Sequence, residues 1–78
     1  MLLNNLDINI NKKFSSNKTF LHRACVQGHY QLTELLLDKG ADIEAKDKEG
    51  NTPLMYVSYE SNFLIVELLL DRGAKINT

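Results

Sequence analysis

Apolar residues recur along this chain at helical spacing. Leu32, Leu35 and Leu36 fall at i, i+3 and i+4, and Ile65, Leu68 and Leu69 repeat the pattern. Such spacing lines one side of a helix and predicts a buried stripe in each case. The first of these helices is expected from Tyr30 to Lys39. Gly40 and Gly73 follow the stripes and stop them, with Lys39 and Arg72 at the negative end of each helix dipole. A shorter helix should precede each striped one. Thr19 supplies a capping hydroxyl for a helix of about two turns ending near Gly28. Thr52-Pro53 marks the second start, with proline at the first helical position, where no donor is needed. At the place of Gly28 the second half has Ser61-Asn62, which assigns Asn62 the left-handed conformation. Between the halves, Ala41 to Asn51 is polar and ends in Glu49-Gly50-Asn51, a turn with positive φ at Gly50. Asn17 holds the equivalent place earlier in the chain.

The two halves are copies. Thr19 to Ala45 laid on Thr52 to Thr78 needs no gap, and 10 of the 27 pairs are identical at an offset of 33 residues. Glu34-Leu35-Leu36-Leu37-Asp38 falls on Glu67-Leu68-Leu69-Leu70-Asp71, and Gly40-Ala41 on Gly73-Ala74. Carried backward, the same ruler sets Leu2 and Leu3 on Leu35 and Leu36, and Ile10 on Ile43. The organisation expected is a remnant of a preceding unit with its finger over 1–18, a whole unit over 19–51 and a second, truncated unit over 52–78. Each unit should build a short helix, a turn, an antiparallel helix and an extended finger.

These residues resemble the ankyrin repeat. Thr19-Phe20-Leu21-His22-Arg23-Ala24 follows the family signature T-P-L-H-x-A and departs at Phe20, with Arg23 at the free position. Gly28-His29 and the run from Leu35 to Asp42 follow without shift. The second unit keeps Thr52-Pro53-Leu54 and the run from Leu68 to Ala74, and departs at Met55, Val57 and Ser61-Asn62. The resemblance implies a mainly α solenoid of stacked helix-turn-helix units with β-hairpin or finger loops. It also implies a hydrogen bond between Thr19 and His22 across the first helical turn. Met55 cannot accept that bond, so the second start should be held less firmly.

Composition narrows the function classes. The chain has 78 residues, so it holds one small domain that buries only about 60% of the surface its unfolded chain exposes. One cysteine excludes an internal disulfide framework and a four-cysteine metal site, and fits an intracellular setting, cytoplasm or nucleus alike. Nine basic against ten acidic residues give no overall field toward nucleic acid or a membrane surface. The longest apolar stretch, Phe63 to Leu70, is interrupted by Glu67 and falls far short of the ~20 residues that span a bilayer. Met1 to Asn5 lacks the basic start and apolar run of a signal peptide.

Little in the chain suggests chemistry. His22, Cys25 and His29 fall at i, i+3 and i+7, a tempting zinc face on one helix. Gly28 should end that helix before His29, so no metal or other cofactor is expected; His22 is read as a hydrogen bonder and Cys25 as a small buried residue. The aspartates at positions 7, 38, 42, 47 and 71 sit where solvated caps and turns belong, not in a catalytic pair. Lys12-Lys13 and Lys18 beside Phe14 make a basic patch too narrow for nucleic acid. No phosphate loop or nucleophile motif occurs, and the chain is not expected to be an enzyme.

The resemblance implies a binding surface for another protein, made of finger tips and the concave side of the first helices. On this chain that surface comprises Ser15, Ser16, Lys18, Lys46, Lys48, Glu49 and Asn51 from the fingers, and Val26, Gln27, Tyr59 and Glu60 from the helices. Tyr59 is the expected anchor, because a tyrosine gives large contact area at low entropy cost. Leu64, at a site usually polar in the family, should be an exposed apolar residue. A second reading makes the chain a structural fragment of a longer ankyrin array, or a self-associating remnant, with no ligand of its own. An array usually needs about three units, and fewer are visible here.

Overall fold

The computed structural model describes residues 9–57 and 62–76. Its elements run in chain order as a tight turn at Ser15–Asn17, helix α1 (Phe20–Gln27), helix α2 (Tyr30–Asp38), a single 3-10 turn at Pro53–Tyr56 and helix α3 (Phe63–Asp71). The expected helices of the first unit are therefore present, with α2 one residue shorter than the sequence suggested. Among the described residues no strand forms; the fingers are closed by turn hydrogen bonds instead. Phe14 N–H donates to the Lys18 carbonyl and Asp47 N–H to the Asn51 carbonyl, two closures 33 residues apart.

The helices end as their glycines dictate. Gly40 and Gly73 take φ of 95° and 97°. At both ends the next N–H turns back onto a helix carbonyl, Ala41 to Leu36 and Ala74 to Leu69. Gly28, at φ 75°, closes α1 and brings the chain into α2. It also packs tightly, since a Cβ there would come within 3.1 Å of the Asn62 side chain. Asn62 itself does not take the left-handed conformation assigned to it. Its φ is −140°, and it serves as the flanking residue that starts α3, as His29 does for α2.

The core runs through both units. Leu21, Ala24, Cys25, Leu36, Ile65 and Leu69 form one buried cluster, with Leu54, Val57, Ile43 and Ala74 packed around it. Hydrogen bonds between units recur with the sequence period. Asn11 Oδ1 accepts from Asp42 N–H at 2.6 Å, and 33 residues on Glu44 Oε2 accepts from Lys75 N–H at 2.7 Å. Arg72 adds an exposed ion pair to Asp38 at 2.8 Å.

The two stripes do not share one fate. Ile65, Leu68 and Leu69 are buried as expected, and so is Leu36, but Leu32 and Leu35 remain 41% and 36% exposed. Periodicity is identical in the two helices, so the cause is the neighbour. Helix α3 has α2 to pack on, whereas the described helices leave Leu32 and Leu35 of α2 partly uncovered. Leu64, as expected, is exposed, and Phe63 beside it also.

Candidate functional site

The start of α1 shows how the first unit fixes its concave side. Thr19 caps the helix, its hydroxyl accepting from His22 N–H at 3.3 Å, while His22 Nδ1 accepts from Thr19 N–H at 3.0 Å. That leaves the ring proton on Nε2, which donates to the Asn51 carbonyl of the next finger at 2.8 Å. One imidazole thus ties the helix start of the 19–51 unit to that unit's own finger. Both ring nitrogens are engaged, so His22 has no lone pair to offer a metal.

The second unit lacks this device. Thr52 is buried, but its hydroxyl has no hydrogen-bond partner. Met55, in the place of His22, is 44% exposed. The helix start is correspondingly short, a four-residue 3-10 turn with Pro53 in first position and no side-chain cap. The weaker start foreseen from Met55 is what the fold contains.

The second finger is organised by a carboxylate. Asp47 was expected to be solvated, yet it is buried. Its Oδ1 accepts from Glu49 N–H and Asn51 N–H, each at 2.9 Å. Its Oδ2 accepts from the Tyr56 hydroxyl and from Lys18 Nζ, the latter at 3.0 Å. Enough donors converge on the anion to replace water, which is why burial is tolerated. The Tyr56 hydroxyl above all, then Asn51 N–H, Lys18 and Glu49 N–H, hold the carboxyl well below the usual range against the cost of desolvation. Lys18 is pushed the other way, above the ordinary lysine value, by the Tyr56 hydroxyl and Asp47. Its ammonium also lies 4.7 Å from the Tyr56 ring centre.

Between the first finger and α1 lies an open hollow of about 290 Å³, lined by Ser15, Ser16, Lys18, Arg23, Val26 and Gln27. Its floor rests on an unusual turn: Ser16 and Asn17 both take positive φ, 62° and 60°. The turn is held by Asn17 N–H to the Phe14 carbonyl and by Lys48 N–H to the Ser16 carbonyl, both at 2.8 Å. The second bond also joins the two finger tips. Lys13 Nζ adds a further link to the Lys46 carbonyl at 2.6 Å. Arg23 and Lys12 flank the Phe14 ring, at 5.5 and 5.6 Å from its centre.

Five of the residues expected at a partner surface therefore meet at one hollow: Ser15, Ser16, Lys18, Val26 and Gln27. Lys46, Lys48 and Glu49 are exposed on the second finger. Asn51 is committed inward, its carbonyl to His22 and its N–H to Asp47. Tyr59 and Glu60 lie outside the described residues. Arg23 was missed. It occupies the free position of the signature, three residues before Val26, and that spacing alone puts the two on one helix face.

Two other candidates resolve chemically. Cys25 is fully buried, and desolvation pushes its thiol up to about 12, so it is a packing residue rather than a nucleophile. Among the described residues no group of three or more His, Cys, Asp or Glu side chains could hold a metal, and no helix is long and apolar enough to cross a membrane.

Comparison with known proteins extends the repeat pattern over the whole chain. A family model described as ankyrin repeats (3 copies) matches residues 1–78. The chain is 47% identical over 47 residues to ankyrin repeat domain-containing protein 17 of Mus musculus, a match over 60% of this chain and 2% of that protein. It is 51% identical over 39 residues to the ankyrin repeat and KH domain-containing protein mask of Drosophila melanogaster, covering 50% of this chain and 1% of that protein. It is 46% identical over 44 residues to the potassium channel AKT1 of Oryza sativa subsp. indica, covering 56% of this chain and 5% of the channel. The chain thus spans only a small part of the length of these relatives.

Proposed function

The chain belongs to the ankyrin-repeat family, and from that premise we propose that it is a non-enzymatic module that binds another protein on its finger tips and the concave side of α1. Ankyrin repeats are generally protein–protein interaction modules, and the family is generally non-catalytic. The observation that carries the reading is the hollow of Ser15, Ser16, Lys18, Arg23, Val26 and Gln27. Apart from Lys18, which Asp47 and Tyr56 hold, its side chains are free to serve recognition. Behind it, His22 and Asp47 hold helix and finger in fixed relation, which lowers the entropy cost of binding.

The test is affinity capture with the chain and two variants as bait. Val26→Asp places a charge at a 53% exposed site of the hollow, and Leu64→Asp does so at a 63% exposed site on α3. A saturable partner lost with the first variant and kept with the second supports the reading. Capture indifferent to Val26→Asp contradicts it. A second reading, a structural piece of a longer ankyrin array that meets other repeats or its own copy, draws support from exposed Leu32, Leu35, Phe63 and Leu64. Sedimentation distinguishes it: association that Leu35→Asp or Leu64→Asp abolishes, with no foreign partner, favours the second reading.

A further inference from the structure

We propose that the hollow between the Ser15–Asn17 turn and α1 receives an acidic peptide segment of the partner, with one Asp or Glu side chain on Arg23 and a neighbouring aliphatic side chain on Val26. The proposal rests on the protein-binding reading and specifies its chemistry.

Charge is the first argument. The hollow is lined by two cations and no carboxylate. Around it, the described residues of the two fingers join Arg23 with Lys12, Lys13, Lys18, Lys46 and Lys48 against Asp42, Glu44, Asp47 and Glu49, although the whole chain carries a formal net charge of −1. Of those four acids Asp47 is buried and already surrounded by donors, and Glu44 accepts from Lys75 N–H. The basic residues are therefore segregated to the finger side, where the field favours an anion.

The availability of the donors is the second argument. Lys18 is held by Asp47 and Tyr56, so most of its charge is answered within the fold. Arg23 is not answered: it is exposed, it stacks near the Phe14 ring, and no carboxylate pairs with it among the described residues. A guanidinium steadied on an aromatic ring keeps N–H groups free at its edge, in the fork geometry that accepts a carboxylate on two bonds. One free fork matches a single negative charge better than a phosphate, which carries about −1.5 to −2 and calls for several unengaged donors.

Size and apolar surface complete the case. An open volume of about 290 Å³ accommodates one or two side chains of a peptide laid across it. Val26 lies one helical turn beyond Arg23 and is 53% exposed, offering the apolar floor beside the charge. The occupant that fits is a short extended stretch with an acid next to Leu, Ile or Val.

The experiment is selection of a display library of short random peptides against the 78-residue chain, followed by titration of a synthetic peptide from the enriched set. Enriched peptides should carry Asp or Glu beside an aliphatic residue. Replacing that acid by its amide, or Arg23→Gln in the protein, should weaken binding by about tenfold or more, with an unchanged circular dichroism spectrum. Arg23→Lys should weaken it less, and Arg72→Gln, on the exposed end of α3, should leave it unchanged. Enriched peptides without an acid, or an affinity indifferent to Arg23→Gln, overturn the proposal. If such peptides still lose binding with Val26→Asp, the protein-binding reading stands and only its acidic specification falls. If neither variant matters, both fall. An empty selection, or a phosphoserine peptide binding over about tenfold tighter than its glutamate counterpart, also counts against the proposal.

Discussion

The two helix starts of this molecule differ by little in sequence and by much in structure. Thr19 begins an eight-residue helix, and Thr52, 33 positions later, begins a 3-10 turn of four. Both threonines are buried. The first has His22 to complete a reciprocal cap and to reach the next finger; the second faces Met55, and its hydroxyl is left without a partner. The difference teaches that a helix start depends on partners elsewhere in the fold. A cap is worth most when the residue that completes it also bonds to the finger of its unit.

The outer helices carry the same lesson in apolar form, and the largest effect is expected there. Leu68→Ala removes a buried side chain of α3 and should cost about 2–4 kcal/mol. In a chain this small that is enough to abolish a cooperative melt. Leu35→Ala, the same position one unit earlier but 36% exposed, should cost about 1 kcal/mol or less. Urea titration followed by circular dichroism reads both, and equal losses would break the comparison.

A somewhat smaller effect is expected at the helix starts. His22→Ala orphans the Thr19 N–H and the Asn51 carbonyl, and should cost about 2–3 kcal/mol. Met55→Ala should cost well under about 1 kcal/mol, since the side chain is 44% exposed. Hydrogen exchange sharpens the point: the amides of α1 should be protected and those at Pro53–Tyr56 should exchange early.

Acid should act on the finger that joins the units. The Asp47 carboxyl is held below its ordinary value in the fold, so its contribution is fully present above the unfolded carboxylate range and is lost as pH falls toward the depressed value. The melting temperature should drop on acidification below about pH 4. Asp47→Asn should start lower and lose part of that dependence; an unchanged acid limb would remove Asp47 from the account. The smallest perturbation is a label. The Cys25 thiol, buried and raised to about 12, should resist a thiol reagent in the native chain and react at once in urea. Its slow native rate measures the opening of α1 without altering it.

Much of the fold is legible in the residues themselves, because it rests on local rules. Gly28, Gly40 and Gly73 stop helices where the chain needs positive φ, and all three do so. Thr19 is a capping residue by type, and its bond to His22 is what the family resemblance implies. What escaped depends on distant residues. The exposure of Leu32 and Leu35 is set by what lies beside α2, which periodicity does not encode. The burial of Asp47 depends on Lys18, 29 residues before it, and Tyr56, nine after it. Even so, an aspartate three residues before Gly50 could have signalled a side chain folding back on its own turn. At the candidate site, Ser15, Ser16, Lys18, Val26 and Gln27 were within reach of the repeat pattern, whereas Arg23 sat at its one free position.

The claim that the two starts differ because one hydroxyl is satisfied and the other is not can be tested with a single substitution made twice. Thr→Val keeps the shape and removes the hydroxyl. Thr19→Val should lower the unfolding free energy by about 1–2 kcal/mol, while Thr52→Val should leave it unchanged or raise it by up to about 1 kcal/mol, both read from urea midpoints. Losses of equal size at the two positions would contradict the account.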